Sequence, residues 1–579
     1  MDINATNFES KLPYITESIL QANFCSFDLE FTGLLTNPLL KECFLDTPQT
    51  RYLKLRKICS DVAMVQLGIT TFHYDEEKKC WTYRPFNFYC LRKEMIDVAL
   101  FCGETSSLVF LAKNKFDFNK LFTEGVSFVS AEDEQIIREN NAWKSSPQMS
   151  SSQIKVTKTE DIDFLSTTMA TIEAFMSATT TSELSLPPCN AFRRRVLYEN
   201  IPSKYSTLQI STTKLEGGEA YLVLMRASES SIAEMTALKE QERIASFNES
   251  LKSASGLRRV WDCICRSRVP VVGHNLLRDA LIMYKSFETS LPYSLYEFSK
   301  NINQKLSTII DTKFYATKHP VISFKGETML EKAYALVKKE CPLPEVRISD
   351  GHEDPYKLDI DSENLSVLKV HEAAYDSLLT GILFCKLAHA HDSNSDVNVP
   401  TMFITKFTEI INRIPMQGIR DVLRISPTPC VDSDINAHVT ESSRVVYIEN
   451  SSPSLTQDEI KAILANYGTD IFISYISSST ALIRLNVNNT AWGTDSDEDN
   501  ISLAPIEVIP FAEGVMTIYS FRCYERMLML AQGDGLTRTS LVPSTHLPPT
   551  SVESTLKRNQ SHFEQCTDND NSKRQKQST

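Results

Sequence analysis

The chain has 579 residues, of which 42% are hydrophobic and 23% are charged. At roughly 100–200 residues per domain, this length predicts about three to five folding units and excludes a single small module. The composition is that of a globular protein with a buried core. The formal net charge of −13 excludes a protein that coats nucleic acid by bulk positive charge. Any contact with nucleic acid must therefore be local.

No run approaches 18 uninterrupted apolar residues, and the N-terminal segment lacks a basic region followed by an apolar run, so neither a membrane span nor a signal peptide is predicted. The 14 cysteines are scattered without paired spacing, which favours a reduced compartment over a disulfide framework or a structural zinc site. We therefore expect a cytoplasmic protein without membrane contact. The basic run at 573–576 is either a nuclear-localisation signal or a solvated chain end, so a nuclear location stays open.

The first part of the chain contains three predicted strands. Residues 23–34 are dense in apolar side chains, and a strand there places Asp28 and Glu30 on the same face. Two further strands are predicted at 61–74 and 81–91, separated by a charged turn. Three consecutive strands of this kind indicate an antiparallel opening to a mixed sheet.

A polar stretch rich in Ser and Gln at 130–160 has the composition of a connector, and beyond it we predict an inserted domain at 155–230. A long polar helix is predicted at 232–265. It leads into a short buried strand at 269–272, a tight turn and a new helix whose first turn carries Asp279.

The remaining chain is predicted to alternate between helices and strands before it ends in a tail. Residues 366–390 predict an amphipathic helix with Asp376 on its polar edge. A helical stretch at 402–425 is followed by the strand and helix order of a small α/β sandwich at 440–520. From 533 to 579 the composition predicts disorder.

Four carboxylates, Asp28, Glu30, Asp279 and Asp376, form a set that suits a pair of hard divalent cations. Two such ions about 3.5–4 Å apart can activate a water and stabilise the oxyanion that leaves a phosphodiester. His371 precedes the last carboxylate by five residues and could deprotonate that water. Each residue alone has a structural alternative, such as helix capping for Asp279. The combination is what indicates a two-metal nuclease.

Three segments resemble the exonuclease motifs of the poly(A)-specific ribonuclease (PARN) family, a group of CAF-type deadenylases within the DEDD superfamily of 3′-exonucleases. They are Phe27–Gly33, Gly273–Asp279 and His371–Asp376. Residues 116–122 and 311–313 are also similar to that family and occur in the same order. The histidine in the third motif indicates the His subclass of the superfamily.

The resemblance implies an α/β fold in which a ribonuclease-H-like mixed-sheet exonuclease domain occupies 1–150 and 232–425. A small α/β module similar to single-strand nucleic-acid-binding modules is then inserted at 155–230, and an α/β domain like an RNA-recognition motif (RRM) follows at 440–520. The inserted module keeps a basic helix but lacks the Arg-x-x-x-His motif that gives such modules their name. In the RRM-like domain, Tyr475 stands where a cap-binding Trp is expected, so we predict a role in assembly or stability.

The resemblance also implies a homodimeric exoribonuclease, dependent on two Mg²⁺ or Mn²⁺ ions, that shortens single-stranded RNA from the 3′ end and releases 5′-monophosphates. Poly(A) is the first expected substrate. Asp28, Glu30, Asp279 and Asp376 would hold the metals and His371 would act as the general base. Two alternatives stay open: trimming of small non-coding RNA or piRNA precursors by the same chemistry, and a catalytically inactive RNA-binding scaffold. All four carboxylates are present, which disfavours the scaffold.

The family places a further group of side chains beside the 3′-terminal nucleotides. Four of them are apolar and could equally be ordinary core residues, and the fifth is a lysine that would contact a phosphate. This predicted substrate-binding group consists of Phe31, Leu34, Leu108, Phe110 and Lys313.

Overall fold

The computed structural model of the chain describes a set of segments that together cover most of its first 530 residues. They are 1–34, 40–92, 95, 100–144, 156–178, 181–214, 220–352, 371–391, 407–416, 422–426, 445–450, 455–467, 471–485, 505–511 and 514–530. The predicted disordered tail at 533–579 lies outside the described residues. No helix among the described residues combines the length and apolarity needed to cross a bilayer.

The N-terminal part of the chain forms three long strands flanked by helices. Its elements are β1 (Asp2–Ile3), α1 (Phe8–Gln21), β2 (Phe24–Phe31), α2 (Pro48–Asp61), β3 (Met64–Asp75), β4 (Cys80–Tyr89), α3 (Thr105–Lys113), α4 (Phe118–Glu124) and α5 (Ala131–Lys144). Strands β2, β3 and β4 confirm the three predicted strands. Helix α5 occupies part of the predicted connector at 130–160, because three acidic residues in its first turn suit the N-terminus of a helix.

Residues 159–226 form a small layer with its own sheet and core, followed by a long helix. The elements are α6 (Thr159–Ser177), β5 (Glu183–Ser185), α7 (Ala191–Lys204), β6 (Leu208–Lys214), β7 (Ala220–Arg226) and α8 (Glu229–Ser255). The three strands pair antiparallel in the order β5-β7-β6. A separate apolar cluster that includes Ile172, Leu197 and Leu224 fills this layer. The domain boundaries at 155 and 230 stay a prediction.

The next part of the chain adds strands and helices to the first sheet. Its elements are α9 (Arg258–Ser267), β8 (Val271–Gly273), α10 (Leu277–Phe287), α11 (Leu295–Lys305), β9 (Ile309–Asp311), α12 (Thr312–Lys318), α13 (Leu330–Glu340), β10 (Val346–Ile348), α14 (Ala373–His391), β11 (Arg413–Pro415) and β12 (Val422–Arg424). The predicted single helix at 232–265 is wrong, because the chain turns at Gly256 between α8 and α9. There φ is +29°, and a Cβ would lie 2.0 Å from the carbonyl oxygen of Ser127.

The helix predicted at 402–425 is also wrong within its described residues, 407–416 and 422–426. Strands β11 and β12 pair there as an antiparallel ribbon, with Ile414 opposite Leu423. Pro415 lacks a backbone N–H and disfavours a helix interior, which is consistent with the ribbon.

The central sheet has seven strands in the order β1-β4-β3-β2-β8-β9, and β10 also pairs with β4. Strands β2, β3 and β4 run antiparallel, and β8 and β9 add to β2 in parallel, so the mixed sheet is confirmed. Helix α14 packs on one face of this sheet. It is buried on all sides from Ala373 to Ala388, so the predicted amphipathic helix is wrong, and Asp376 is only 7% exposed rather than at a polar edge.

The last described part forms a five-stranded antiparallel sheet. Its elements are β13 (Val445–Asn450), α15 (Gln457–Ile463), a 3₁₀ turn (Ala465–Tyr467), β14 (Ile471–Tyr475), β15 (Thr480–Leu485), β16 (Glu507–Phe511), β17 (Gly514–Ser520) and α16 (Phe521–Leu530). We call this sheet, of order β14-β15-β13-β17-β16, the C-terminal sheet. One face packs on α15 through Ile460 and Leu464. The opposite face, which carries Tyr447 and Tyr519, packs with Cys43 and Ile58 of the N-terminal part.

Candidate active site

Strand β2 places two of the predicted carboxylates on the sheet face that α14 covers. Asp28 lies opposite Gly68 of β3 and Glu30 lies opposite Gln66. The neighbouring Phe27 and Leu29 point into the core on the other side of the sheet. Successive side chains of β2 point to opposite faces of the sheet, so the apolar side chains lie on one face and the acidic ones on the other.

The close approach of α14 to β3 sets the position of Asp376. A Cβ at Gly68 would lie 2.0 Å from the carbonyl oxygen of Ala373, so only glycine allows the first turn of α14 to rest directly on the strand. Asp376 stands in that first turn. Its Oδ2 accepts a hydrogen bond of 3.0 Å from the backbone N–H of His371. Its Oδ1 is buried and has no hydrogen-bond partner among the described residues.

His371 lies close to two of these carboxylates, Glu30 and Asp376. Within the described residues, one ligand atom each from Glu30, His371 and Asp376 lie within 4.8 Å of one another, a spacing that can hold a metal ion. His371 has a φ of +69°, and its ring meets the ring of Phe110 edge to face at 4.7 Å. The sequence predicted all of these residues at the site, but it assigned His371 as a base and not as a neighbour of the ligand atoms.

Asp28 and Asp279 lie outside this three-residue group but share its electrostatic environment. Burial, followed by the charges of Asp376, Asp279 and Glu30, raises the pKa of Asp28 well above its usual range. Burial also raises the pKa of Asp279 to about 7 and that of Asp376 to about 8. The four predicted carboxylates are therefore brought together.

This cluster fits a divalent cation. No lysine or arginine of the described chain forms an ion pair with any of the four carboxylates, and buried charges without a partner are costly. The unpartnered Oδ1 of Asp376 and the all-oxygen carboxylate set with one imidazole are the donors that Mg²⁺ and Mn²⁺ accept.

Sequence reasoning missed two acidic residues around the site. The carboxylate of Asp311, which is fully buried, accepts hydrogen bonds from the backbone of Asn275, Leu276 and Lys313, so it fixes the turn before Asp279. Its position at the end of β9, directly before α12, was a signal for such a cap. Glu331 on α13 raises the pKa of Asp28 and of Asp376 by its charge, and no motif marked it.

The predicted substrate-binding residues differ in exposure, and Phe110 is the one for which a contact with the site is seen among the described residues. Leu34 and Phe110 are 44% and 45% exposed, whereas Phe31, Leu108 and Lys313 are partly buried. Phe31 packs against the core of the central sheet. The contact between Phe110 and the His371 ring puts this exposed phenyl ring next to the candidate metal-binding atoms.

The sequence matches a family of ribonucleases and is similar to several characterised nucleases. The family model of CAF1 family ribonucleases matches residues 3–384. The "Poly(A)-specific ribonuclease PARN" of Xenopus laevis is 27% identical over 506 residues, which cover 84% of this chain and 77% of that protein. The "Pre-piRNA 3′-exonuclease trimmer" of Bombyx mori is 27% identical over 403 residues, or 67% of this chain and 71% of that protein. The Mg²⁺ and Mn²⁺ bound form of Pop2p from S. pombe aligns over 72% of this chain and 98% of that chain at 13% identity, with a TM-score of 0.33, too low to establish a common fold.

Proposed function

The chain belongs to the CAF1 family of ribonucleases, and we propose that it is a divalent-cation-dependent 3′-to-5′ exoribonuclease that shortens single-stranded poly(A) and releases 5′-monophosphates. The observation that carries this proposal is the cluster of Asp28, Glu30, Asp279 and Asp376. Burial, followed by the charges of Asp376 and Asp279, raises the pKa values of Asp28 and Glu30. No basic side chain of the described residues forms an ion pair with any of the four carboxylates. Such a cluster is suited to cations and to the negative charge that develops in phosphodiester cleavage.

The carboxylates would hold the metal and His371 would move the proton. When bound, the metal supplies Lewis-acid stabilisation of phosphate oxygens and lowers the pKa of a water. Burial lowers the pKa of His371, so its imidazole is neutral near pH 7 and can accept a proton from the attacking water. The attacking water would lose a proton to His371 and add to the phosphorus that links the last two nucleotides. The bond from that phosphorus to the 3′ oxygen of the preceding nucleotide would break, and the 3′ oxygen would take a proton from solvent water and leave as a hydroxyl.

The apolar residues beside His371 would bind the terminal nucleotides. Phe110 offers an exposed ring at the site, and Leu34 is exposed at the end of β2. Stacking on an aromatic ring tolerates any base, and a free 3′ end is needed to reach the buried carboxylates. Lys313 would contact a phosphate, since it is partly exposed and its backbone N–H is held by the buried cap Asp311, two residues earlier.

Tyr475 supports a structural role for the C-terminal sheet rather than cap recognition. Its hydroxyl donates a hydrogen bond of 2.8 Å to the carbonyl oxygen of Leu455, which ties the side chain to the α15 side of the sheet. A side chain held in this way is not free to stack on a methylated guanine. We also propose a homodimer, on the family resemblance alone. From the scattered cysteines we propose a cytoplasmic location, and the basic run at 573–576 leaves a nuclear location open.

The test is incubation of the full chain with labelled oligo(A) in Mg²⁺, in Mn²⁺ and in a chelator, with product length and terminal phosphate analysed. Stepwise shortening from the 3′ end that the chelator abolishes is the expected result. Asp376→Asn should be inactive, whereas Asp163→Asn, an exposed aspartate of α6, should be normal. Activity of the Asp376 variant equal to that of the wild type would contradict the proposal.

A second candidate function is 3′ trimming of small RNA precursors. It is favoured by the similarity to the Bombyx mori enzyme, which covers 67% of this chain. Parallel reactions on oligo(A) and on a small-RNA precursor with a mixed 3′ sequence separate the two functions. Selective shortening of the mixed sequence would favour trimming.

A further inference from the structure

An exposed pair of phenyl rings lies beyond the candidate nucleotide contacts. Phe101 and Phe122 are 36% and 50% exposed, their ring centroids are 5.2 Å apart, and the planes meet edge to face at 68°. This arrangement leaves ring faces that point away from the pair. Single exposed apolar residues are ordinary, but a paired aromatic surface beside other exposed apolar side chains marks a binding site.

The segment that carries Phe101 is fixed against the rim of the active site. The Thr32 hydroxyl donates to the Cys102 carbonyl oxygen at 2.5 Å, and the backbone N–H of Glu104 donates to the Thr32 carbonyl at 2.8 Å. The Glu104 carboxylate accepts a hydrogen bond of 3.0 Å from the N–H of Leu34. Residues 101–104 are therefore held at the end of β2, which supplies the exposed Leu34.

The same segment also contacts α3, which carries Phe110. A Cβ at Gly103 would lie 3.1 Å from Cβ of Thr32 and 3.2 Å from Cδ1 of Leu108. The backbone at Gly103 is therefore packed between Thr32, which follows β2, and Leu108 of α3. The Leu108 side chain of α3 thus lies against the segment that carries Phe101.

Two positive charges lie on α3 and just after it, and Lys113 follows Phe110 by three residues, so these two side chains lie on the same helix face. Lys113 and Lys115, which follow Phe110 on and just after α3, are exposed and form no ion pair within the described part of the chain. In a protein of net charge −13, unpaired lysines next to exposed rings favour a ligand that is both aromatic and anionic. A single-stranded RNA has this chemistry, with bases for the rings and phosphates for the lysines.

We propose that the Phe101–Phe122 pair is an accessory stacking site for bases upstream of the 3′-terminal nucleotides. The proposal rests on the proposed exoribonuclease function and extends it to longer substrates. Because the segment that carries Phe101 is held by hydrogen bonds to Thr32 and Leu34, the pair would engage only RNA that extends beyond the terminal contacts.

The test compares KM and kcat of the full-length wild type with those of Phe101→Ala and Phe122→Ala, on the trinucleotide of adenosine and on an oligo(A) of about 15 nucleotides. We expect KM for the long RNA to rise about 5- to 150-fold, the equivalent of losing one stacked base, with kcat unchanged and the trinucleotide unaffected. Phe122→Trp should keep the wild-type KM because it restores a stacking face. Tyr296→Ala, which removes an exposed aromatic residue of α11, is the matched control and should behave as the wild type.

The outcomes separate this inference from the proposed function. If the wild type degrades both substrates and both alanine variants keep the wild-type KM on the long RNA, the accessory site is refuted and the pair is a protein-docking surface instead. An equal rise in KM on both substrates would also refute it, because the rings would then act on the terminal nucleotides. If the wild type degrades neither substrate, the proposed function itself fails.

Discussion

Replacement of Asp376 by asparagine should stabilise the metal-free protein while abolishing RNA degradation. The Asp376 carboxylate is buried, and its charge raises the pKa values of Asp28 and Glu30. Asparagine keeps an oxygen that accepts from the His371 N–H, and it directs an NH₂ group to the place where Oδ1 now has no partner among the described residues. The substitution thus removes like-charge repulsion and also removes a metal ligand.

The magnitude follows from the pKa. Burial raises the pKa of Asp376 from 3.8 to about 8, which corresponds to roughly 6 kcal/mol at about 1.4 kcal/mol per pKa unit. Because the native state holds a proton that the unfolded chain releases, the free energy of unfolding of the metal-free wild type falls as the pH rises from about 4 to about 8. In Asp376→Asn this contribution is absent, so the free energy of unfolding does not fall with pH through residue 376. Tm of the variant at pH 8 should therefore exceed that of the wild type.

Calorimetry of the wild type and Asp376→Asn in a chelator, near pH 5 and near pH 8, measures this effect. The difference in Tm should be small near pH 5, where the wild-type carboxyl is protonated, and large near pH 8. Mg²⁺ should raise the Tm of the wild type more than that of the variant. Asp163→Asn controls for the loss of one negative charge. A variant that melts at or below the wild-type Tm near pH 8 would show that repulsion does not strain this cluster.

Three further predictions concern catalysis, packing and recognition. His371→Ala should lower kcat by about 10²–10⁴-fold with unchanged RNA affinity. The variant should also lose the acidic limb of the pH–rate profile, and in the wild type this limb should lie below the usual histidine pKa because burial lowers the pKa of His371. If the variant instead needs more Mg²⁺ for half-saturation, His371 is a metal ligand. Gly68→Ala should destabilise the fold by about 3 kcal/mol or more in denaturant unfolding, since its Cβ would overlap the Ala373 carbonyl, and normal stability would contradict the close approach. Capped and uncapped oligo(A) should be degraded at equal rates, and Tyr475→Ala should not change that ratio, because the hydroxyl is engaged with the Leu455 carbonyl; a cap preference lost in the variant would restore the cap-binding role.

The strand pattern and the motif spacing were sufficient to predict most residues of the candidate site. A period of two fixes Asp28 and Glu30 on one face regardless of the rest of the fold, so their placement on β2 followed from 23–34 alone. Asp279 and Asp376 lie about a hundred residues apart, and local spacing cannot bring them together. The ligand chemistry of a two-metal site and the family resemblance linked them to the first pair, and burial together with the charges of Asp376 and Asp279 raises the pKa of Asp28.

The errors arose where tertiary packing overrides local pattern. The apolar spacing of α14 indicated one buried face, but the helix lies between the central sheet and α13, so its polar residues are buried as well. Gly256 interrupts a continuous helical pattern because Ser127 approaches it from a distant segment. Glu331 enters the site only through the packing of α13, which no local signal encodes.

The face of the C-terminal sheet that carries Tyr447 has consequences for dissecting the protein. Tyr447 and Tyr519 are buried against Cys43 and Ile58, and the Glu525 carboxylate accepts hydrogen bonds from the hydroxyls at the start of α2. A truncated chain that ends before 445 would expose this apolar surface to water and leave polar groups without partners. The catalytic half alone would then be prone to aggregate, so loss of activity on truncation would report a failure of solubility and not the loss of an RNA-binding module.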